Sequence, residues 1–240
     1  MSVRFLLRCT ALLLLAASAT RAQTANLSRL VPANYSQLSD SLGFAWDVNQ
    51  NGAINQGSNC FNDAFILQIN GNQFSANQGM MTPDGSEFFL NQNVNGIDVT
   101  RRIRIDVKSA TCRFIETLRN SSGGPQTFTV QIRTQFNNRM QSVLSDSGTP
   151  VGTQFGAKDS GLAVVSGGNQ SPPQPSMLWL VASPGGKVRP AVRSENNNYR
   201  ILVSYPVTLA AGASVSLVHA AAQRTSRPRT RRRWRNFSPR

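Results

Sequence analysis

Along most of the chain apolar and polar residues alternate over short stretches, each stopped by Gly, Asn or Pro. Ile103, Ile105 and Val107 alternate with Arg102, Arg104 and Asp106, and Phe128, Val130 and Ile132 alternate with Thr129, Gln131 and Arg133. A period of two puts successive side chains on opposite faces of a half-buried strand. A two-residue hairpin with Ser109-Ala110 at its tip would set Asp106 opposite Arg113, Val107 opposite Cys112 and Ile105 opposite Phe114, turning Cys112 inward. Ala64 to Ile69 reads as a strand stopped by Asn70-Gly71, a hairpin signal, with Phe74 resuming beyond. Glu87 to Leu90, Leu162 to Val165, the apolar run Met177 to Val181, Tyr199 to Leu209 and Ser214 to Ala222 are further strand candidates. No window after residue 22 has a convincing helical period. The pattern predicts an all-β fold, a single antiparallel β-sandwich of about ten or more strands over residues 46–223.

The two ends break the pattern. Arg4 and Arg8 flank the apolar residues Phe5 to Leu7 and Ala11 to Ala17, and small residues follow, as in a cleaved secretory signal peptide over residues 1–22. The run is shorter than the ~20 residues of a membrane span, and no later segment reaches that length. Residues 23–45 read as an extended lead-in. From Arg224 the text RTSRPRTRRRWRNFSPR is predicted to be a disordered basic tail, either an arm for polyanions or the mark of a truncation or a lost reading frame.

Charge changes the picture only once it is located. The chain carries +14, but of its 25 Lys and Arg three lie in residues 1–22 and eight from Arg224 onward. Fourteen remain against eleven acids, a body of only +3. That balance disfavours a nucleic-acid partner for the body.

Cys9 falls in the leader, which leaves Cys60 and Cys112 for the exported chain, and an even count in an oxidising compartment predicts a disulfide between them. The bridge would close a loop of about fifty residues and contribute ~4 kcal/mol. Just before Cys60, WDVNQNGAINQGSNC places Asp47, Asn49 and Asn51 as in the first half of an EF-hand calcium loop. The twelfth position, however, is Ser58, and Asp47 is the only acid. Two readings stay open: a non-EF calcium loop using Asp47, Asn49, Asn51 and Asp63, or a type I′ hairpin turn at Asn51-Gly52. Calcium is the one cofactor candidate.

Nucleophilic catalysis has little to work with. The only histidine, His219, shares a strand face with Val215, Leu217 and Ala221, the pattern of a core residue with one satisfied nitrogen. Paired carboxylates would serve glycoside hydrolysis, with Asp106, Glu116, Asp146, Asp159 and Glu195 as candidates. Glu116 stands out because it shares a face with Cys112, Phe114 and Leu118, and an inward acid needs an Arg partner, an edge position or a catalytic role. Among the aromatics Trp46, next to the turn, is the better candidate for stacking on a sugar, while Trp179 in MLWLV reads as core.

The block TRRIRIDVKSATCRFIETLRNSSGGPQTFTVQIRT and the end YPVTLAAGASVSLVHAAAQR resemble uncharacterised secreted bacterial β-sandwich modules. These show a Thr-Arg strand, an Arg-aromatic-any-Glu strand ending in Asn, a Thr-Val-rich strand and a turn before a His-containing strand. The Trp-Asp-any-Asn opening is similar to that of planctomycete-type members. The resemblance covers about half of the chain, departs at Ala211 where Pro is usual, and brings no catalytic residues with it. It implies a secreted, periplasmic or cell-surface, non-catalytic module for adhesion, scaffolding or contact with an extracellular glycan or cell-surface component. The alternative is a fragment of a carbohydrate-active enzyme of the supersandwich kind.

Overall fold

Alternation becomes sixteen strands in a computed structural model, which describes residues 29–76, 78–151, 155–167, 174–183, 186 and 188–225. The expected leader, all of the tail beyond Thr225 and the centre of the Pro-rich loop after Ser166 lie outside the described residues. The strands all belong to one unit, which begins at Val31. No helix long and apolar enough to cross a membrane occurs among the described residues.

The larger sheet has nine antiparallel strands. In spatial order they are β1 (Val31–Pro32), β6 (Gln78–Met81), β7 (Glu87–Val94), β8 (Ile97–Asp106), β9 (Thr111–Asn120), β16 (Ser214–Arg224), β13 (Ser176–Leu180), β12 (Gly161–Ser166) and β11 (Met140–Ser145). The smaller has five, in the order β14 (Ala191–Glu195), β15 (Arg200–Leu209), β10 (Gln126–Gln135), β4 (Ile66–Ile69) and β5 (Asn72–Gln73). A two-stranded ribbon, β2 (Ser36–Ser39) with β3 (Ala45–Val48), accompanies them. One apolar core joins the inward faces, with Ile103, Phe114 and Leu118 from the larger sheet meeting Leu67, Val130, Ile132 and Val203 from the smaller. Each such side chain contributes about 1.5–3 kcal/mol on burial.

The β8–β9 hairpin corrects the expected register. Asp106 pairs with Thr111, Ile105 with Cys112 and Ile103 with Phe114, so the connection has four residues rather than two. The Asp106 carboxylate holds that loop by accepting the amides of Lys108 at 3.0 Å and Ser109 at 3.1 Å, and Ala110 takes a left-handed φ of 53°. A slip by two keeps every face, so Cys112 still points inward, but Val107 leaves the core and is 39% exposed.

At Asn70-Gly71 both residues have positive φ, 49° and 81°, and Ile69 pairs with Asn72 in the expected two-residue hairpin. At Asn51-Gly52 only Gly52 is left-handed, with φ 78°. That turn is wider than a type I′ hairpin: the Gly52 amide donates to Asn49 O at 2.8 Å, and Val48 bridges Ile54.

Candidate functional site

The parity that sends Ile103 and Ile105 inward on β8 also sends Arg101 inward, and on β9 it places Glu116 between Phe114 and Leu118. The register sets Arg101 opposite Glu116, and on the other flank of β9 it sets Leu217 opposite Glu116 and His219 opposite Phe114. Three polar side chains therefore meet inside the sandwich. Arg101, Glu116 and His219 are all 0% exposed.

Their contacts form a chain. Arg101 Nη1 lies 3.7 Å from Glu116 Oε1, while Nη2 donates to the Phe65 carbonyl at 2.7 Å. Phe65 itself has φ 58°, a backbone conformation uncommon for a bulky residue. The guanidinium lies 5.0 Å from the centroid of Phe114, whose ring stacks on His219 at 4.5 Å and 10°. Trp179 Nε1, a donor only, reaches His219 Nδ1 at 3.3 Å. His219 is thus the tautomer with its proton on Nε2, which donates to Glu116 Oε1 at 3.3 Å.

Burial pushes the His219 pKa below its ordinary 6.5, against the pull of Glu116. A neutral imidazole leaves one cation, Arg101, facing one anion. Burial, and secondarily Glu116, also pushes up the pKa of Tyr205, whose hydroxyl donates to Val181 O at 2.7 Å. The satisfaction is incomplete: Arg101 Nε and Nη1 and Glu116 Oε2 are buried without a hydrogen-bond partner. A His–Glu contact is the raw material of acid–base chemistry, but here it sits in a closed core. A nearby surface hollow of about 180 Å³ is lined by Tyr205 and Leu217 together with Val181, Ala182 and Val218, and none of the three polar residues lines it.

The other expected site residues are placed as structural parts. Trp46 is fully buried, its Nε1 donating to Asp40 Oδ2 at 3.0 Å, so its ring offers no surface to a sugar. Asp47 is buried and spends both carboxylate oxygens on the backbone, accepting Gln56 N at 3.0 Å and Gly57 N at 2.7 Å. Asn49 closes the turn through its main chain, and Asn51 Oδ1 accepts Ala53 N at 3.0 Å. Asp63 is an exposed residue with φ 62°. Among the described residues no group of three or more His, Cys, Asp and Glu is arranged to hold a metal.

Cys60 and Cys112 are separate free thiols rather than a disulfide; burial pushes the pKa of both upward. What ties the opening turn to the large sheet is Gln223 of β16, which accepts Ser58 N at 3.1 Å and donates to Ala45 O at 2.6 Å.

Of the remaining acids, Asp106 caps its hairpin and Glu195 pairs with Arg193. Asp146 and Asp159 do come together, with carboxyls in hydrogen-bonding contact. Burial raises the pKa of Asp146 and contact with Asp159 adds to it, while for Asp159 burial is opposed by bonds from Ser147, the Gly156 amide, Asp146 and Ser145, which together lower it. Such contact is closer than the ~5 Å or more that glycoside hydrolysis requires between its two carboxyls.

No family model matches the chain, and no curated protein matches it in sequence. Solved structures do. A galactose mutarotase-like protein from Lactobacillus casei ATCC 334 is 9% identical with a TM-score of 0.48, over 81% of this chain and 99% of its own. A galactose mutarotase related enzyme from Lactobacillus acidophilus is 9% identical with a TM-score of 0.39, over 81% and 80%. A polysaccharide lyase is 14% identical with a TM-score of 0.42; the match spans 78% of this chain but only 30% of the lyase. Likenesses of this strength transfer no residue and no activity.

Proposed function

We propose that the chain is a secreted, periplasmic or cell-surface β-sandwich module that makes contacts, in adhesion, scaffolding or glycan binding, and catalyses no reaction. The observation that carries this reading is the complete burial of Arg101, Glu116 and His219. Arg101 faces the inward acid singled out by the sequence as its counter-charge, and the lone histidine orients that acid as a neutral donor, in a closed core out of reach of any substrate. The leader-like residues 1–22 and the resemblance to secreted bacterial modules support the location. The near-neutral body supports a partner other than nucleic acid.

The Asp47 loop belongs to the same reading as a structural turn. Calcium is therefore expected to leave the Tm of the purified chain unchanged, because an ion that binds only the folded state must raise it.

The experiment that tests the function is a panel of neutral and acidic glycans offered to the purified chain, read both for binding and for release of new reducing ends. Binding without cleavage is the expected result. Cleavage that disappears in Glu116→Gln would replace the reading with the alternative, a fragment of a carbohydrate-active enzyme.

A further inference from the structure

The outward face of the five-stranded sheet carries a pattern that packing does not explain. In register, Gln73 of β5, Gln68 of β4, Gln131 of β10 and Ser204 of β15 stand side by side. At the usual strand spacing that row is roughly 14 Å long. Gln131 Nε2 donates to Ser204 Oγ at 3.3 Å, which leaves the rest of the row's polar capacity facing outward.

One row further along the strands, Arg133 stands between Ile66 and Leu202, with Arg193 beyond Leu202. The next row is Gln135, Arg200 and Glu195. Glu195 is already shared by Arg193 at 2.5 Å and Arg200 at 3.8 Å. Arg133 has no such partner: among the described residues no carboxylate pairs with it, and its Nε is buried without a hydrogen-bond acceptor. That Nε is closed to any ligand, but Arg133 as a residue is only half-buried, and the Nη end of its guanidinium is a cation with no described carboxylate set against it.

We propose that this face binds an acidic oligosaccharide, a glycan bearing uronate groups, laid along the amide row with a carboxylate on Arg133. The proposal rests on the reading of the chain as a glycan-contacting module and assigns that contact a place and a ligand class. A guanidinium fork matches a carboxylate in geometry and charge. Glutamine amides each offer a donor pair and an acceptor, the mixed complement that sugar hydroxyls require. Leu202 and Pro206 add a small apolar ledge on the same face for the C–H side of a sugar ring. A protein partner would call for buried aromatic anchors at the centre of the patch, and the centre here is Gln131 and Arg133.

The test is titration calorimetry of the full chain with an oligogalacturonate, its methyl ester and a neutral galacto-oligosaccharide, at low and physiological salt. The variants are Arg133→Gln, Gln131→Ala and, as a control on the outward face of the larger sheet, Arg104→Gln. Expected is binding of the oligogalacturonate, weakened about tenfold or more in Arg133→Gln and with the methyl ester, and unchanged in Arg104→Gln. Gln131→Ala should weaken it by a smaller factor, and should this variant lose nothing the amide row is not the site. Equal losses in Arg133→Gln and Arg104→Gln would overturn the proposal, since they would mean general attraction to an arginine-rich chain. Binding of neutral glycans alone would also overturn it while leaving the broader glycan reading intact. No binding of any sugar would remove both. If Arg133→Gln fails to fold, as read by thermal melting, the methyl ester and Gln131→Ala decide.

Discussion

At the scale of single residues, the buried polar group decides most. Removing one partner of a closed ion pair leaves the other desolvated, so Glu116→Leu should cost about 3–5 kcal/mol in urea unfolding through the stranded Arg101. The double change Arg101→Met with Glu116→Leu should cost clearly less than the sum of the two single changes; additive costs would mean the pair is not coupled. His219 adds a pH signature. Its folded pKa lies below 6.5, so in acid the unfolded chain takes up a proton that the folded chain refuses. Its contribution is intact above pH 6.5 and lost as the pH falls from there towards the folded value, at up to about 1.4 kcal/mol per pH unit. Urea midpoints between pH 7.5 and 5 should show a shallower decline in His219→Gln than in the parent, and identical slopes would exclude the effect.

The sequence showed part of this cluster and hid the rest. Glu116 is visibly inward from its neighbours Phe114 and Leu118, and Arg101 has the same parity as Ile103. Their meeting depends on the register of β8 against β9, which the Asp106 loop shifts by two residues from the tightest hairpin. Trp46 was legible as a residue beside a turn but not as a buried one, because a sequence pattern places a side chain on a face without showing whether that face is covered.

At the scale of elements, the opening turn shows how one glycine supports both a bend and the core beneath it. A Cβ on Gly52 would lie 2.7 Å from atoms of Ile103 and Leu90 and 3.0 Å from Arg101 Nε, and its φ is 78°. Gly71 has a similar φ of 81° but open space around it. Gly71→Ala therefore reports left-handed strain alone, about 1 kcal/mol, whereas Gly52→Ala adds overpacking and should cost about 2–4 kcal/mol. Equal losses, measured side by side in urea, would show that the neighbours of Gly52 yield freely. Strands with both alternation and a firm stop, such as β8, β10, β15 and β16, could be read directly. Those that lack a hydrophobic face, such as the edge strand β14 with Ala-Val-Arg-Ser-Glu and the short β2, could not, since they are fixed by the strand beside them rather than by their own pattern.

At the scale of the whole molecule, the order of strands in space departs from their order in the chain. β16 is the last of the described strands in sequence yet lies between β9 and β13, pairing Val218 with Ile115 and Trp179 with Ala221. A chain stopped at Gly212 should accordingly show no cooperative unfolding transition by circular dichroism, because two strands deep in the larger sheet lose their partner. A sharp transition in that variant would show that the flanking strands hold together without it. The topology could not be read from periodicity, which locates strands but says nothing of which neighbour each one takes.

That placement also makes the last strand a keystone. Until Ser214 to Arg224 has been synthesised, β9 and β13 each present an unzipped edge of main-chain donors and acceptors, open to proteases and to other chains. Only a polypeptide translated through β16 conceals them, so closure of the larger sheet waits on a segment made long after β9 and β13.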